Sequence, residues 1–327
     1  MGSERYAYAS WEEALHEEIE PDFGDRDGAF KTKNPKDQRW QRRFVHVQNK
    51  ESKFRKTVET VLVVHGWKTP KMIEPMSLIV LSVSLDCHKK DFRFESVRIW
   101  LAFDEDQGAI PPNSEDAKPE VVAYAPFVAP QNWHLSEEKI EEKTTKRGAL
   151  SIEQGPKAGL ELSKEIRRSH TRTHFDRGTA DWMVDKNQRA YGVNWYCEQN
   201  HLDDYGVKPQ FHIAVLLKRQ HTKNDNKPVS FKGVFDMRVE AGFRVDFEQL
   251  RRRMFRGGKP EDEAIYYDPN MDDQVHGRNS VGERLRAKID KNNLGELMGG
   301  PDGNWLSGIV DSNGDISGLD PLAPKTD

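Results

Sequence analysis

Residues 77–88 read SLIVLSVSLDCH, and the order of letters in that stretch decides the fold class. From Leu81 onward, Leu81, Val83, Leu85 and Cys87 alternate with Ser82, Ser84 and Asp86. Successive side chains of an extended chain point to opposite faces, so a period of two predicts a half-buried antiparallel strand with one wet face. Residues 94–103, FESVRIWLAF, repeat the pattern, with Val97, Ile99, Leu101 and Phe103 on one face and Ser96, Arg98 and Ala102 on the other. Upstream, TVETVLVVHGW (57–67) is a further strand candidate. PEVVAYAPF (119–127) is another, which Pro126 ends or places at a sheet edge.

After a charged stretch, LSEEKIEEKTTKRG (135–148), the strand signal returns weakly in GALSIEQ and GLELSKEI. It strengthens in DWMVD, YGVNWYCEQ, FHIAVLLKR and VSFKGVFDMRVEAGF. In YGVNWYCEQ, Val193, Trp195 and Cys197 share a face, and Trp195 is the expected core anchor because its area dominates burial. Phe231, Val234 and Phe235 break strict alternation and predict a bulge at Gly233. About eight to ten strands between Lys56 and Phe243, with no strongly periodic helix among them, predict an all-β fold. The expected packing is an antiparallel β-sandwich, with a barrel as the second choice.

The flanks differ from this middle. Residues 1–50 read as a charged N-terminal extension: acids crowd the stretch from Glu12 to Asp27, and bases crowd KTKNPKDQRWQRR (31–43) around Trp40. Blocks of opposite sign this close fold toward each other or stay solvated. Residues 51–245 are the sandwich domain, and residues 246–327 a C-terminal helix and loop-rich tail. In the tail, Asp246, Gln249 and Gly257 frame the helix candidate DFEQLRRRMFRGG, and Ser280 with Glu283 frames SVGERLRAKIDK. Gly, Asn, Asp and Pro dominate what remains, which reads as loop.

Composition narrows the function. Of 327 residues, 35% are hydrophobic and 32% charged, enough for one good core with polar extensions. The 54 acids and 50 bases leave a formal charge of −4, so no global field drawing nucleic acid is expected. Two cysteines, Cys87 and Cys197, make no disulfide framework and suit a reducing compartment. No leader, glycosylation sequon or apolar run of membrane-spanning length occurs, so the expected location is cytoplasmic or nuclear.

The segment AYGVNWYCEQNHLDDYGVKPQFHIAVLLKRQ (190–220), followed by SFKGVFDMRVEAG, resembles a family of uncharacterised β-rich proteins of filamentous fungi. The shared pattern rests on Gly192, Trp195, Gln199, Asn200, Gly206, Val207, Pro209, Val215, Leu216, Leu217, Lys218, Arg219, Phe231 and Val234. The resemblance implies a fold type and a fungal origin, and it carries no activity.

Several letter patterns suggest chemistry. Residues 311–320, DSNGDISGLD, place Asp311, Asn313 and Asp315 at the first three ligand positions of an EF-hand loop. Ile316 stands where that loop needs glycine and Leu322 where it needs a bidentate acid, so a turn explains the letters better. A calcium-dependent lipid-binding sandwich would instead gather aspartates from residues 104–116 and from Asp203 and Asp204. His170 and His174 suit two ligands on one helix face or in a loop, but not on a strand, where residues four apart lie ~13 Å apart. Cys197 with His201 could be nucleophile and base if the thiol pKa were depressed. No nucleophile elbow, phosphate-cradling loop or zinc-protease motif is present, and no cofactor is expected. Last, Phe247, Leu250 and Met254 form an apolar stripe ringed by Arg251, Arg252, Arg253 and Arg256, a surface fitted to a protein partner or an anionic surface. The expectation is a non-catalytic binding or assembly module. The alternative is an enzyme with its pocket between the sheets or at their ends.

Overall fold

The computed structural model describes residues 32–36, 39–47, 54–87, 93–106, 118–148, 162–203, 205–219, 229–240, 262–276, 281–299 and 305–317, with backbone alone for 140–148 and 162–170. Among these residues, twelve strands build two six-stranded antiparallel sheets that form a sandwich. Sheet I runs β1 (Phe44–Val47), β2 (Phe54–Trp67), β3 (Pro75–Cys87), β9 (Gln210–Lys218) and β5 (Glu120–Ala125), with β12 (Gln274–Val275) also on β2. Sheet II runs β11 (Ile265–Tyr267), β10 (Phe231–Glu240), β4 (Ser96–Glu105), β8 (Ala190–Glu198), β7 (Leu162–Val184) and β6 (Gln131–Gly148).

The main core lies between the sheets. Ile79, Leu81, Val83 and Leu85 of β3 meet Val97, Ile99, Leu101 and Phe103 of β4, together with Trp195 of β8. Trp195 is 1% exposed and sits edge-on to Tyr124 with ring centroids 6.4 Å apart. Tyr124 in turn donates its hydroxyl hydrogen to Ala180 O at 3.1 Å, joining the edge strand β5 to β7 of the other sheet.

The wet face expected on β3 exists only beyond Leu81. Leu78 and Val80 point away from the main core into a second one, shared with Leu62, Val64, Ala214 and Leu216. The C-terminal segment covers that face through Leu285 of helix α1 (Val281–Ala287), Leu294 of the 3₁₀ helix Lys291–Met298, Leu306 of the 3₁₀ helix Trp305–Gly308, and Ile309, Val310 and Ile316. A strand buried on both faces has no reason to alternate, and the run LIVL marks the covered half of β3. The loop-rich tail is therefore a third layer over its described length. Its fit depends on Gly66, where a Cβ would collide with the backbone oxygen of Lys291.

Three other expectations change. β10 pairs with β4 without a register shift from Phe231 to Glu240, so there is no bulge at Gly233. Gly233 takes an inward position because the rings of Tyr267 and Phe103 fill the space its side chain would need, and Val234 points to solvent at 46% exposure. The charged stretch 135–148 is not a break but part of β6, paired with β7 from Ser136↔His174 to Gly148↔Leu162. Among the described residues β7 pairs with β8 only from Arg177 onward, so this part is a free two-stranded ribbon of about 40 Å at the strand rise of ~3.3 Å.

Finally, residues 39–47 of the basic N-terminal run are woven into the sandwich. Trp40 bridges Tyr266 of β11, Gln41 N donates to Tyr266 O at 2.6 Å, and Thr60 N of β2 donates to Arg43 O at 2.7 Å. The chain thus crosses from sheet II to sheet I within a few residues and closes that side. Arg39 lies 3.7 Å over the Tyr266 ring and Trp40 meets that ring edge-on, so this end of the run is docked on β11.

Candidate functional site: the open face of sheet II

Alternation along β10, β4, β8 and β7 sends one set of side chains into the core and the other outward. Cross-strand register then arranges the outward set in rows. One row is Arg238, Arg98, Tyr196 and Thr179, and the next is Asp236, Trp100, Asn194 and Asp181. A third is Val234, Ala102, Gly192 and Met183. No described element packs over these rows, in contrast to the outer face of sheet I.

At their centre, the Arg238 guanidinium lies 4.9 Å and that of Arg98 5.9 Å from the Trp100 ring centroid; Arg98 is also 4.9 Å from the Tyr196 ring. Burial, with Glu198 and Glu240 beside it, raises the Tyr196 pKa and keeps the phenol protonated. Charges of both signs surround the aromatics, including Asp104 between Lys118 and Lys232. The alternation in FESVRIWLAF marks this face as wet. Trp100 is the overlooked letter there, a large aromatic in the outward register among serine, arginine and alanine.

The groups whose titration is most displaced lie in the core. His65 accepts from Gln41 Nε2 at 2.8 Å and donates from Nδ1 to Ser77 Oγ at 2.7 Å. Burial, then the charge of Arg219, push its pKa well below 6.5. Burial alone pushes Arg219 down to about 9; its Nη2 donates to Met76 O at 3.1 Å, while Nε and Nη1 have no partner among the described residues. A second pair, His46 Nδ1 and Asp262 Oδ2 at 2.6 Å, joins residues 216 apart in sequence, so no local motif announces it. Burial would raise the pKa of Asp262, but His46 and two hydrogen bonds from Thr32 hold it below 3.8.

The motifs with suspected chemistry resolve into structural contacts. Asp311 Oδ1 accepts from Asn313 N at 2.8 Å and Asp315 N at 2.9 Å, closing a turn on itself. Lys208 Nζ sits 2.6 Å from Asp315 Oδ2 and 3.0 Å from Asn313 O, so an ammonium occupies the side where a calcium ion would be bound. His212 N donates to Gly314 O at 2.7 Å, which pins the turn to β9. The described aspartates of the two loops, Asp104 and Asp203, do not converge, and residues 107–116 lie outside the described residues. Ser96 pairs with Glu198, so Asp203 follows the strand end beside Ser96, whereas Asp104 lies eight residues along β4, about 26 Å away.

Burial pushes the Cys197 thiol up to about 12, the reverse of activation, and His201 Nε2 contacts Glu198 Oε1 at 3.1 Å instead. His170 and His174 lie on β7, where His174 Nε2 meets Glu138 Oε2 at 3.1 Å. Among the described residues no group of three or more His, Cys, Asp or Glu is placed to hold a metal ion. Arg251, Arg252, Arg253 and Arg256, with the rest of the basic helix candidate, and Asp204 lie outside the described residues. No helix of the described residues is long and apolar enough to cross a membrane. Compared with known proteins, the chain matches no family model and no curated protein.

Proposed function

We propose that the protein is a non-catalytic binding module that engages another protein through the open face of sheet II around Trp100. The observation that carries this reading is the pairing of Trp100 and Tyr196 with Arg98 and Arg238 on a sheet face that no described element covers. Tryptophan, tyrosine and arginine are the residue types enriched at binding hot spots, and in-register strands hold them at defined spacing. The guanidinium groups already lie over the ring faces, which disfavours stacking of a base or a sugar there. An enzyme would place its perturbed groups together in a cleft, whereas His65, Arg219 and Cys197 are displaced mainly by burial in the core.

The basic segment 246–257, with Arg251, Arg252, Arg253 and Arg256, follows β10 of the same sheet in sequence and is a second surface of this reading. Both cysteines are free thiols, which supports a cytoplasmic or nuclear setting. A fungal cell is the setting that the family resemblance favours.

The test is quantitative affinity purification of three forms: wild type, the triple variant Arg98→Glu, Trp100→Ala, Arg238→Glu, and the control Lys71→Glu, Lys186→Glu. The account expects partners common to wild type and control that the triple variant loses while keeping its melting temperature. Identical partner sets in all three forms would reject the face as the binding surface.

A further inference from the structure

Where the N-terminal segment crosses between the sheets it leaves a cavity of about 380 Å³, bounded by residues 32–35, 41–47 and the end of β12. That size falls within the range of small-molecule sites. Among the described residues Lys33, Arg42, Arg43 and His276 line it and no acid does, while Pro35, Phe44 and Val47 supply apolar wall. Of the described acids nearby, Asp262 is engaged by His46 and Thr32 N and Glu263 by Asn34 N at 2.8 Å, while Glu59 pairs with the lining residue Arg43 at 3.2 Å, a contact that a bound anion would replace.

Two residues of the wall are themselves buried. Arg42, 4% exposed, donates from Nη1 to Asn34 Oδ1 at 3.1 Å and from Nη2 to Val45 O at 3.0 Å, but its Nε has no partner among the described residues. Gln41, 2% exposed, has its amide orientation set by donation from Nε2 to Asp268 O at 3.1 Å, which leaves Oε1 without a partner among the described residues. Gln41 also holds φ at 49°, a left-handed conformation that a non-glycine residue adopts at a cost and that recurs at ligand sites. The guanidinium of Arg42 among further cations, with no acid among the described lining residues, suits an anion with several acceptor oxygens.

We propose that this cavity binds a small molecule carrying a phosphoryl group on an apolar body. The phosphoryl oxygens meet Arg42, Arg43 and Lys33, and the body rests on Phe44 and Val47. The site lies at the margin of sheet I and is independent of the open face of sheet II, so failure of either proposal leaves the other standing.

The test is isothermal titration of the full chain with phenyl phosphate, inorganic phosphate and benzoate at low salt. The expected order of affinity is phenyl phosphate, then inorganic phosphate, then benzoate. The Lys33→Glu, Arg43→Glu variant, altered at solvent-facing side chains, should fold normally and bind phenyl phosphate about tenfold or more weakly. Arg42→Lys, which keeps the charge but loses the planar fork of donors, should also weaken binding, and retention of wild-type secondary structure and melting temperature checks that the arm stays docked. Absence of phenyl phosphate binding to wild type, affinity unchanged in the double variant, or benzoate binding as tightly as phenyl phosphate would each overturn the proposal.

Discussion

The two sheets share a core and differ on their outer faces. Sheet I presents Leu62, Val64, Leu78, Val80 and Leu216 outward, and the C-terminal helices lie over them. Sheet II presents Arg98, Trp100, Asn194, Tyr196, Asp236 and Arg238 outward, and no described element covers them. Burial records the difference as continuity against alternation. LIVL in β3 and AVLL in β9 are buried at every position because both faces are covered, while burial alternates along β10 and along β4 from Val97 to Phe103. The letters alone do not separate the two faces, since IWLAF (99–103) of β4 is as unbroken an apolar run as LIVL.

Substitutions on each side of the comparison should separate it by size. The largest effect belongs to the shared core: Trp195→Ala should cost roughly 3–5 kcal/mol in urea denaturation, and a wild-type midpoint would remove Trp195 from the core. Next is the cover. Leu294→Ala, at a fully buried contact of the C-terminal layer, should cost about 2–5 kcal/mol. It should also expose residues 285–316 to limited proteolysis before the sandwich is cut; loss of all fragments together would mean that the layers unfold as one unit. On the open face, Trp100→Ala should change stability by no more than about 0.5–1 kcal/mol. A loss as large as that of Trp195→Ala would show that something covers the sheet.

A pH dependence of middling size follows from the buried histidine. The folded pKa of His65 lies well below 6.5, so the unfolded chain binds the proton more readily than the folded one. Its contribution is complete above pH 6.5 and is lost as pH falls toward the folded value, by roughly 1.4 kcal/mol per unit. His212, lowered chiefly by burial, adds in the same direction. Denaturation midpoints at pH 7, 6 and 5 should fall in that order, and a flat profile would mean that His65 is protonated without cost in the fold.

Much of the main core was legible, because Val97, Ile99, Leu101, Phe103, Val193 and Trp195 sit at a strict period of two. The ribbon of β6 and β7 was not, since a free two-stranded ribbon needs no apolar face and its letters are mostly charged and hydroxyl residues. The cover was hidden for a different reason. Leu285, Ile289, Leu294, Leu306 and Ile309 follow no 3.6-residue period, because short helical turns rather than one helix deliver them to the sheet. Of the candidate sites, Trp100 could have been read from its register in FESVRIWLAF. The cavity could not, because Arg42 and His276 are distant in sequence and meet only through the closed edge of the sandwich.

The central claim is that one outer face is covered and the other open. Hydroxyl-radical footprinting of the native chain, read by mass spectrometry, tests it most directly. The account predicts oxidation at Trp100 and Tyr196 with protection of Met76, on the covered face of sheet I, and of Trp195 in the core. Protection of Trp100 equal to that of Trp195, or oxidation of Met76 equal to that of Trp100, would contradict it.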